Sequence, residues 1–386
     1  MIKHVRDLYL NKFYKEPKHI YFSPGRVNII GEHTDYTGGL VMPFCIDKGI
    51  YGAIEKIEDL RINIYSENYT ILGIIEIDLL DLPEKLENNF SDYLVGVIKE
   101  LNKNNYKLKQ GYNIVLTSNL PIGGGLSSSA ALSLLLLRML NDFENFNLSD
   151  LAIVKMAKSV ENNYLKVNCG IMDQFAIMFS KENRAIYLDT FDLTYDYVKL
   201  DFKDYELVII NSNTTRKLAD SKYNERQAET KEILAILNEN MKVDHLGELE
   251  ENELSTYLDF IVDETLRKRL KHIITENARV KHAKVALELN NPYHLGDLLN
   301  ASHKSLKDDY EVSTAILDDL VNIAIKSGAL GSRMVGGGFG GSTLNLVLKD
   351  NLESFIEKFK EEYHKRYDTN FVYSILQAKD GIKQID

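Results

Sequence analysis

Leu120-Pro121-Ile122-Gly123-Gly124-Gly125-Leu126-Ser127-Ser128-Ser129-Ala130-Ala131-Leu132 leads from a turn straight into an apolar run, Ala130 to Leu140, that reads as a helix. Bare glycine backbone before a helix start leaves N–H groups aimed at one point, and the helix dipole adds to their pull on an anion. The serines add hydroxyl donors, one of which could ligate magnesium. No Gly-Lys-Ser/Thr follows, so this is not a Walker A loop. The plain alternative is a serine N-cap on a core helix. Three glycines and three serines exceed what a cap needs, so the stretch reads as a phosphate cradle.

Around this loop the chain alternates. Ile20–Phe22, Val41–Ile57, Ile62–Tyr65 and Tyr112–Thr117 carry β-branched and aromatic residues between turn signals, and Leu151–Leu165 reads as a helix. After a strand at Leu207–Asn211 the chain turns helical over Ala228–Asn240, Glu264–Leu289, His294–Lys307 and Thr314–Ser327. Strand-like Leu344–Leu348, helical Leu352–Arg366 and strand-like Phe371–Ile375 close it. Such runs predict an α+β protein of two layers or lobes, divided near 190–205, with residues 1–197 in one and 198–386 in the other. A length of 386 residues fits about two domains.

Forty-six basic and 57 acidic residues leave a net charge of −11. That balance argues against a general role on nucleic acid or an anionic membrane surface, while permitting a local basic pocket. Cys45 and Cys169 form neither a zinc spacing nor a disulfide framework, which fits a reducing compartment. MIKHVRDLYL lacks the apolar core of a secretory signal. The run at Ala130–Leu140 falls short of the ~20 residues needed to span a bilayer. The expectation is a soluble cytoplasmic protein.

Two further glycine clusters stand out. Ser23-Pro24-Gly25-Arg26-Val27-Asn28-Ile29-Ile30-Gly31-Glu32-His33-Thr34-Asp35-Tyr36-Thr37-Gly38-Gly39 follows a strand and packs Arg26, Glu32, His33 and Asp35 closely together. Carboxylates accept from sugar hydroxyls while Arg and His donate, so the segment suits a hydroxyl-rich ligand; a solvated polar loop is the alternative. Gly331-Ser332-Arg333-Met334-Val335-Gly336-Gly337-Gly338-Phe339-Gly340-Gly341-Ser342 satisfies G-x-G-x-x-G literally. A dinucleotide fingerprint needs a helix next, whereas Thr343–Leu348 reads as strand, so a nucleotide-dependent oxidoreductase is rejected. A glycine hairpin between a helix and a strand is expected instead, either a flexible turn or a close approach to phosphate or sugar.

Two lone carboxylates complete the candidates. Val154, Ala157, Glu161 and Tyr164 share one helical face, so Glu161 is either paired or metal-bound, or sits at the margin of the stripe. Asp173 interrupts the apolar run Ile171–Phe179 and is either a helix N-cap or a working carboxylate.

Taken together these motifs resemble the galacto-, homoserine, mevalonate and phosphomevalonate (GHMP) kinase superfamily, and within it the galactokinases. GRVNIIGEHTDYTGG is similar to the galactokinase signature, PIGGGLSSSAA to the family's phosphate loop and GSRMVGGGFGG to its third motif. NCGIMDQFA, LADSKYNER and SHKSLKDDYEVS are also galactokinase-like, so the resemblance runs from about Tyr21 to Val347. Departures are Thr37, Val335, Gly337, Ser133 and Gln227, none at a position assigned to chemistry.

The resemblance implies a mixed-sheet N-terminal lobe with a left-handed β-α-β unit, a ferredoxin-like C-terminal lobe and a ligand cleft between them. It implies ATP-dependent phosphorylation of the anomeric hydroxyl of D-galactose. Asp173 would be the base on O1, with Arg26 beside it favouring its charged form. Glu32, His33, Asp35, Gly170 and Tyr223, with Arg26 and Asp173, would bind the sugar, Asp35 reading the C3 and C4 side. Gly123, Gly124, Gly125, Leu126, Ser127, Ser128 and Ser129 would hold the ATP phosphates, and Ser129 and Glu161 would ligate Mg2+. Gly337 and Gly338 would support the closed cleft. A monomer or weak oligomer is expected. A sister kinase for N-acetylgalactosamine, arabinose or a mevalonate-type alcohol, and a non-catalytic galactose sensor, are the rival readings.

Overall fold

The structure, a computed structural model, describes residues 1–121, 124–200, 203–211 and 219–386, the last with backbone alone at 219–221. Three sheets organise it. The first runs in the order β13 (Lys383–Gln384), β1 (His19–Asn28), β3 (Pro43–Ile57), β6 (Gly111–Ser118), β4 (Arg61–Ser66), β5 (Ile74–Asp78). Only β4 and β6 pair in parallel; the other neighbours are antiparallel, so the sheet is mixed. The second runs β10 (Gly331–Val335), β11 (Ser342–Leu348), β9 (Tyr205–Asn211), β12 (Val372–Leu376), wholly antiparallel. A third joins β2 (Leu40–Val41), β7 (Arg184–Asp189) and β8 (Tyr195–Lys199).

The helices follow the same division. α1 (Ile2–Phe13) packs on β3 and β6, and α2 (Ser91–Lys103) lies in the connection between the parallel strands β4 and β6. α3 (Ser128–Glu144), α4 (Asp150–Ser159) and α5 (Met172–Phe179) pack against one another, with α3 and α5 laid on β1 and β3. α6 (Ala219–Asn238), α7 (Leu254–Asp259), α8 (Glu264–Glu288), α9 (Pro292–Asp308) and α10 (Ala315–Ser327) lie between β9 and β10, and α11 (Leu352–His364) lies between β11 and β12. In chain order the second unit is therefore strand, helices, two strands, helix, strand, with the last strand beside the first: the ferredoxin-like layer that was expected.

Apolar periodicity explains most of this. α3 is buried on nearly every face, with Leu134, Leu135, Leu136 and Leu137 at 0% exposure, as a helix apolar all round must be. β1 lies between two neighbours and is buried from Ile20 to Asn28. The strand expected at Ile20–Phe22 thus extends through Ser23–Asn28, and Arg26 sits on a strand rather than in a loop. The pairing of β1 with β3 jumps between Pro24 and Arg26, a bulge of the kind that re-aims side chains beside functional sites. The third glycine cluster also needs correction. It turns between two strands, β10 and β11, not between a helix and a strand, because Arg333, Met334 and Val335 are buried in a ladder with β11.

Candidate active site

Three elements meet at one cleft: the end of β1, the start of α3 and the start of α5. Arg26 Nη1 donates to the Gly125 carbonyl at 2.8 Å, and the Arg26 backbone N–H donates to Leu126 O at 3.2 Å. Gly25 permits this contact, since a Cβ there would run into Leu120 and the Leu126 carbonyl. The strand with the charged signature is thereby tied to the phosphate loop.

Asp173 is the focus. Arg26 Nε donates to Oδ1 at 2.7 Å and Nη2 donates to Oδ2 at 2.9 Å, a bidentate pair formed by residues 147 positions apart. Of the two alternatives for Asp173, the helix cap fails. α5 is capped by Ile171 with no side-chain bond, and Asp173 lies inside the first turn, where the helix dipole favours its charge. The serine-cap alternative fails as well. Ser127 precedes α3 in a left-handed conformation, φ 60°, and makes no cap bond; its hydroxyl donates instead to Asp173 Oδ2 at 2.5 Å. Without a side-chain cap, the first N–H groups of α3 stay available to an anion. From the second sheet, Ser342 Oγ holds the loop by donating to Gly124 O at 2.8 Å.

Glu161 lies on a π-turn, Val160–Tyr164, that continues α4. It is buried rather than marginal, accepts from Gln174 Nε2 at 2.9 Å, and has the Ser129 hydroxyl as a second donor. Burial, with Asp173 nearby, pushes its pKa up to about 7. A buried carboxylate beside a hydroxyl suits Mg2+, which takes one or two carboxylates and completes its shell with phosphate and water. Among the described residues no cluster of three or more His, Cys, Asp or Glu is placed to hold a metal alone.

The signature loop supplies the rest of the cleft. Arg26, Glu32, His33, Asp35, Gly124, Gly125, Leu126, Ser127, Ser128, Ser129, Glu161, Gly170, Asp173, Tyr223, Gly337 and Gly338 all line it. Gly123, expected in the phosphate cradle, lies outside the described residues. Gly170 acts by having no side chain, because a Cβ there would collide with the Asp35 carboxylate. Burial, with Asp173 nearby, drives Asp35 up to about 7. Burial, with repulsion from His272, drives His33 down to about 3.

Several residues that sequence reasoning left without a role hold this arrangement. Arg333, fully buried on β10, donates through Nη2 to Glu32 Oε1 at 3.0 Å and to Asn28 O, and through Nε to Ile29 O at 2.6 Å. Gly336 N donates to the same Glu32 oxygen at 2.9 Å. Glu276 on α8 accepts from Gly31 N at 2.9 Å and from Ser302 and Arg279, and the charge of Arg279 is the largest cause that overcomes burial and draws its pKa down to about 2. Gln174 breaks the same apolar run as Asp173, whereas Arg333 sits in the third glycine cluster, which was noted without giving it a role. Glu276 sits among polar residues of a long helix and gives no such cue.

The matched regions coincide with these elements. A family model of the galactokinase galactose-binding signature matches residues 7–56, one of the GHMP kinase N-terminal domain residues 92–181, and one of the GHMP kinase C-terminal domain residues 283–365. The chain is 43% identical to the galactokinase of Clostridium beijerinckii over 374 residues, 97% of this chain and 96% of that one. The chain belongs to the galactokinase family. Within the family, the galactokinase of Clostridium acetobutylicum is 41% identical over 100% of both chains. The crystal structure of Lactococcus lactis galactokinase complexed with galactose superimposes with a TM-score of 0.96 at 40% identity, covering 100% of both chains. A Methanococcus jannaschii mevalonate kinase shares the fold, with a TM-score of 0.66 at 21% identity over 94% of this chain and 99% of that one. The GHMP kinase fold and family expected from the sequence are thus found. Among the described residues no helix is long and apolar enough to cross a membrane.

Proposed function

We infer that this galactokinase-family chain transfers the γ-phosphoryl group of ATP to the anomeric hydroxyl of D-galactose, giving α-D-galactose 1-phosphate and ADP. The observation that carries the reading is the Arg26–Asp173 pair set between the signature loop and the start of α3. Asp173 takes the proton of the O1 hydroxyl as that oxygen attacks phosphorus and ADP leaves. A carboxylate offers about four lone-pair sites. Arg26 and Ser127 occupy three of them, which leaves the free site on Oδ1 for the substrate proton. Base catalysis of this kind contributes about 10²–10⁴-fold. Most of the remaining barrier falls to positioning and charge neutralisation, because the transition state of phosphoryl transfer is loose.

Arg26, Glu32, His33, Asp35, Gly170, Asp173 and Tyr223 form the sugar site in this reading, with Gly170 serving by leaving room for Asp35. Asp35 reads the C3 and C4 side, where galactose and glucose differ; a site built to pair the axial hydroxyl leaves polar groups unmatched when glucose binds. Gly123 to Ser129 hold the ATP phosphates. Ser129 and Glu161 would hold Mg2+, which supplies neutralisation of phosphate charge when bound. Gly337 and Gly338 support the cleft from the turn between β10 and β11. We also propose lobes of residues 1–197 and 198–386. A monomer or weak oligomer suffices, since every assigned residue belongs to one chain. The free cysteines Cys45 and Cys169 fit a reducing, cytoplasmic setting.

The test is ADP release with ATP, Mg2+ and a panel of acceptors: galactose, glucose, N-acetylgalactosamine, arabinose and mevalonate. Galactose should be turned over with the highest kcat/KM. A higher value for any other acceptor, or galactose and ATP binding without ADP release, refutes the assignment.

A further inference from the structure

Residues 166–170 carry neither helix nor strand, yet Val167, Cys169 and Gly170 line the cleft between Glu161 and Asp173. The backbone of such a segment must find its partners outside the regular ladders. Three side-chain amides supply them. Asn162 Oδ1 accepts from Cys169 N at 3.0 Å, a donor shared with Val167 O, and from the Cys169 thiol at 3.1 Å. Asn162 Nδ2 donates to Cys169 O at 3.3 Å. Asn224 Oδ1 accepts from Asn168 N at 3.3 Å, and Gln227 Nε2 donates to Asn168 O at 3.1 Å. The N–H and C=O groups of Asn168 and Cys169 are thus all engaged by amide side chains.

The clamp joins two regions of the chain. Asn162 stands on the π-turn that carries Glu161, whereas Asn224 and Gln227 share one face of α6, beside Tyr223, which lines the cleft. A backbone N–H can only donate and a carbonyl can only accept, so each amide has one workable orientation: Asn224 offers oxygen and Gln227 offers nitrogen. The segment held this way delivers Gly170 to Asp35. A Cβ added at Gly170 would fall 1.9 Å from Asp35 Oδ2, and the Met172 backbone N–H faces the same carboxylate. A carboxylate backed so closely by main chain takes its place from that main chain.

We propose that Asn224 and Gln227, completing the clamp with Asn162, are positioning residues for the sugar site: they fix the backbone at 168–170, and that backbone sets where the Asp35 carboxylate stands. Hydrogen bonds weaken steeply with angle, so a displaced Asp35 reads the axial hydroxyl less well. The proposal rests on the reading of the cleft as a galactose site and adds the support behind its reader.

The test compares two isosteric variants that each add one negative charge. Gln227→Glu sets a carboxylate oxygen against Asn168 O and reverses the bond, whereas Asn224→Asp leaves an accepting oxygen on Asn168 N. Gln227→Glu should raise KM for galactose about 3- to 10-fold, the worth of one neutral hydrogen bond, and narrow the galactose-over-glucose ratio in kcat/KM by as much. Asn224→Asp should leave both within about twofold, and KM for ATP should move equally in the two variants. Hydrogen–deuterium exchange over residues 166–171 of the ligand-free protein should quicken in Gln227→Glu and keep the wild-type pace in Asn224→Asp. If Gln227→Glu fails to fold, Gln227→Met, which removes the donor without adding charge, carries the same expectations. An unchanged galactose KM and ratio in Gln227→Glu, equal shifts in both variants, or an exchange rate that Gln227→Glu does not alter would each overturn the proposal. Exchange is read without sugar, so a wild-type protein inactive on galactose would refute the proposed function while the exchange contrast still decides the clamp.

Discussion

Arg26→Lys keeps the positive charge and removes the fork, which isolates what geometry contributes. Arg26 makes three charge-assisted bonds, to Asp173 Oδ1 at 2.7 Å, to Asp173 Oδ2 at 2.9 Å and to Gly125 O at 2.8 Å. An ammonium in its place is a point charge that can keep at most one of them. Two lost bonds at about 1.5–3 kcal/mol each amount to about 3–6 kcal/mol. At 1.36 kcal/mol per factor of ten, that lowers kcat/KM by about 10²–10⁴-fold. The assay is steady-state ADP release at saturating ATP, with thermal unfolding alongside to show that the variant folds. A folded Arg26→Lys within about threefold of wild type would refute the claim that the bidentate pair aligns the base.

Other predictions follow from the same cleft. Asp35→Ala should erase most of the preference for galactose over glucose in kcat/KM; a preserved ratio removes Asp35 as the reader of the axial hydroxyl. Glu161→Gln should raise the Mg2+ concentration needed for half-maximal activity, and an unchanged titration removes Glu161 as a ligand. Asp35, pushed up to about 7 by burial, also predicts a pH effect on stability. From about pH 4 to about pH 7 the unfolded chain releases a proton that the folded chain keeps, so this group's contribution favours the fold at low pH and is lost as pH rises to about 7. Asp35→Asn should flatten that part of the ligand-free Tm-against-pH curve; parallel curves for variant and wild type would contradict it.

Much of this was legible in the sequence because glycine and serine clusters have few other uses. Gly124–Ser129 could be singled out by composition, whereas the signature at 25–39 stayed open against a solvated loop until the motifs were taken together; the structure brings both to one cleft. Local rules left Asp173 open between a helix cap and a working carboxylate, and read the run around Ser127 as a phosphate cradle without finding its partner; only tertiary contact turns Ser127 toward Asp173 and Asp173 toward Arg26. Strand β1 was read too short because Pro24 and Gly25 look like strand breakers, yet both are accommodated at the bulge. Tyr36 and Tyr310 lie inside quoted motifs, yet their hydroxyl–hydroxyl contact across 274 positions has no periodicity to detect.

The central claim is that a phosphoryl group is placed on the anomeric oxygen of galactose. Protein, galactose, ATP and Mg2+ can be incubated together and the product examined by phosphorus NMR with correlation to the sugar protons. The account predicts one new phosphomonoester coupled to the proton on C1, in the α configuration, formed in step with ADP. A phosphomonoester coupled to any other carbon, or ATP consumed with only inorganic phosphate appearing, would contradict it.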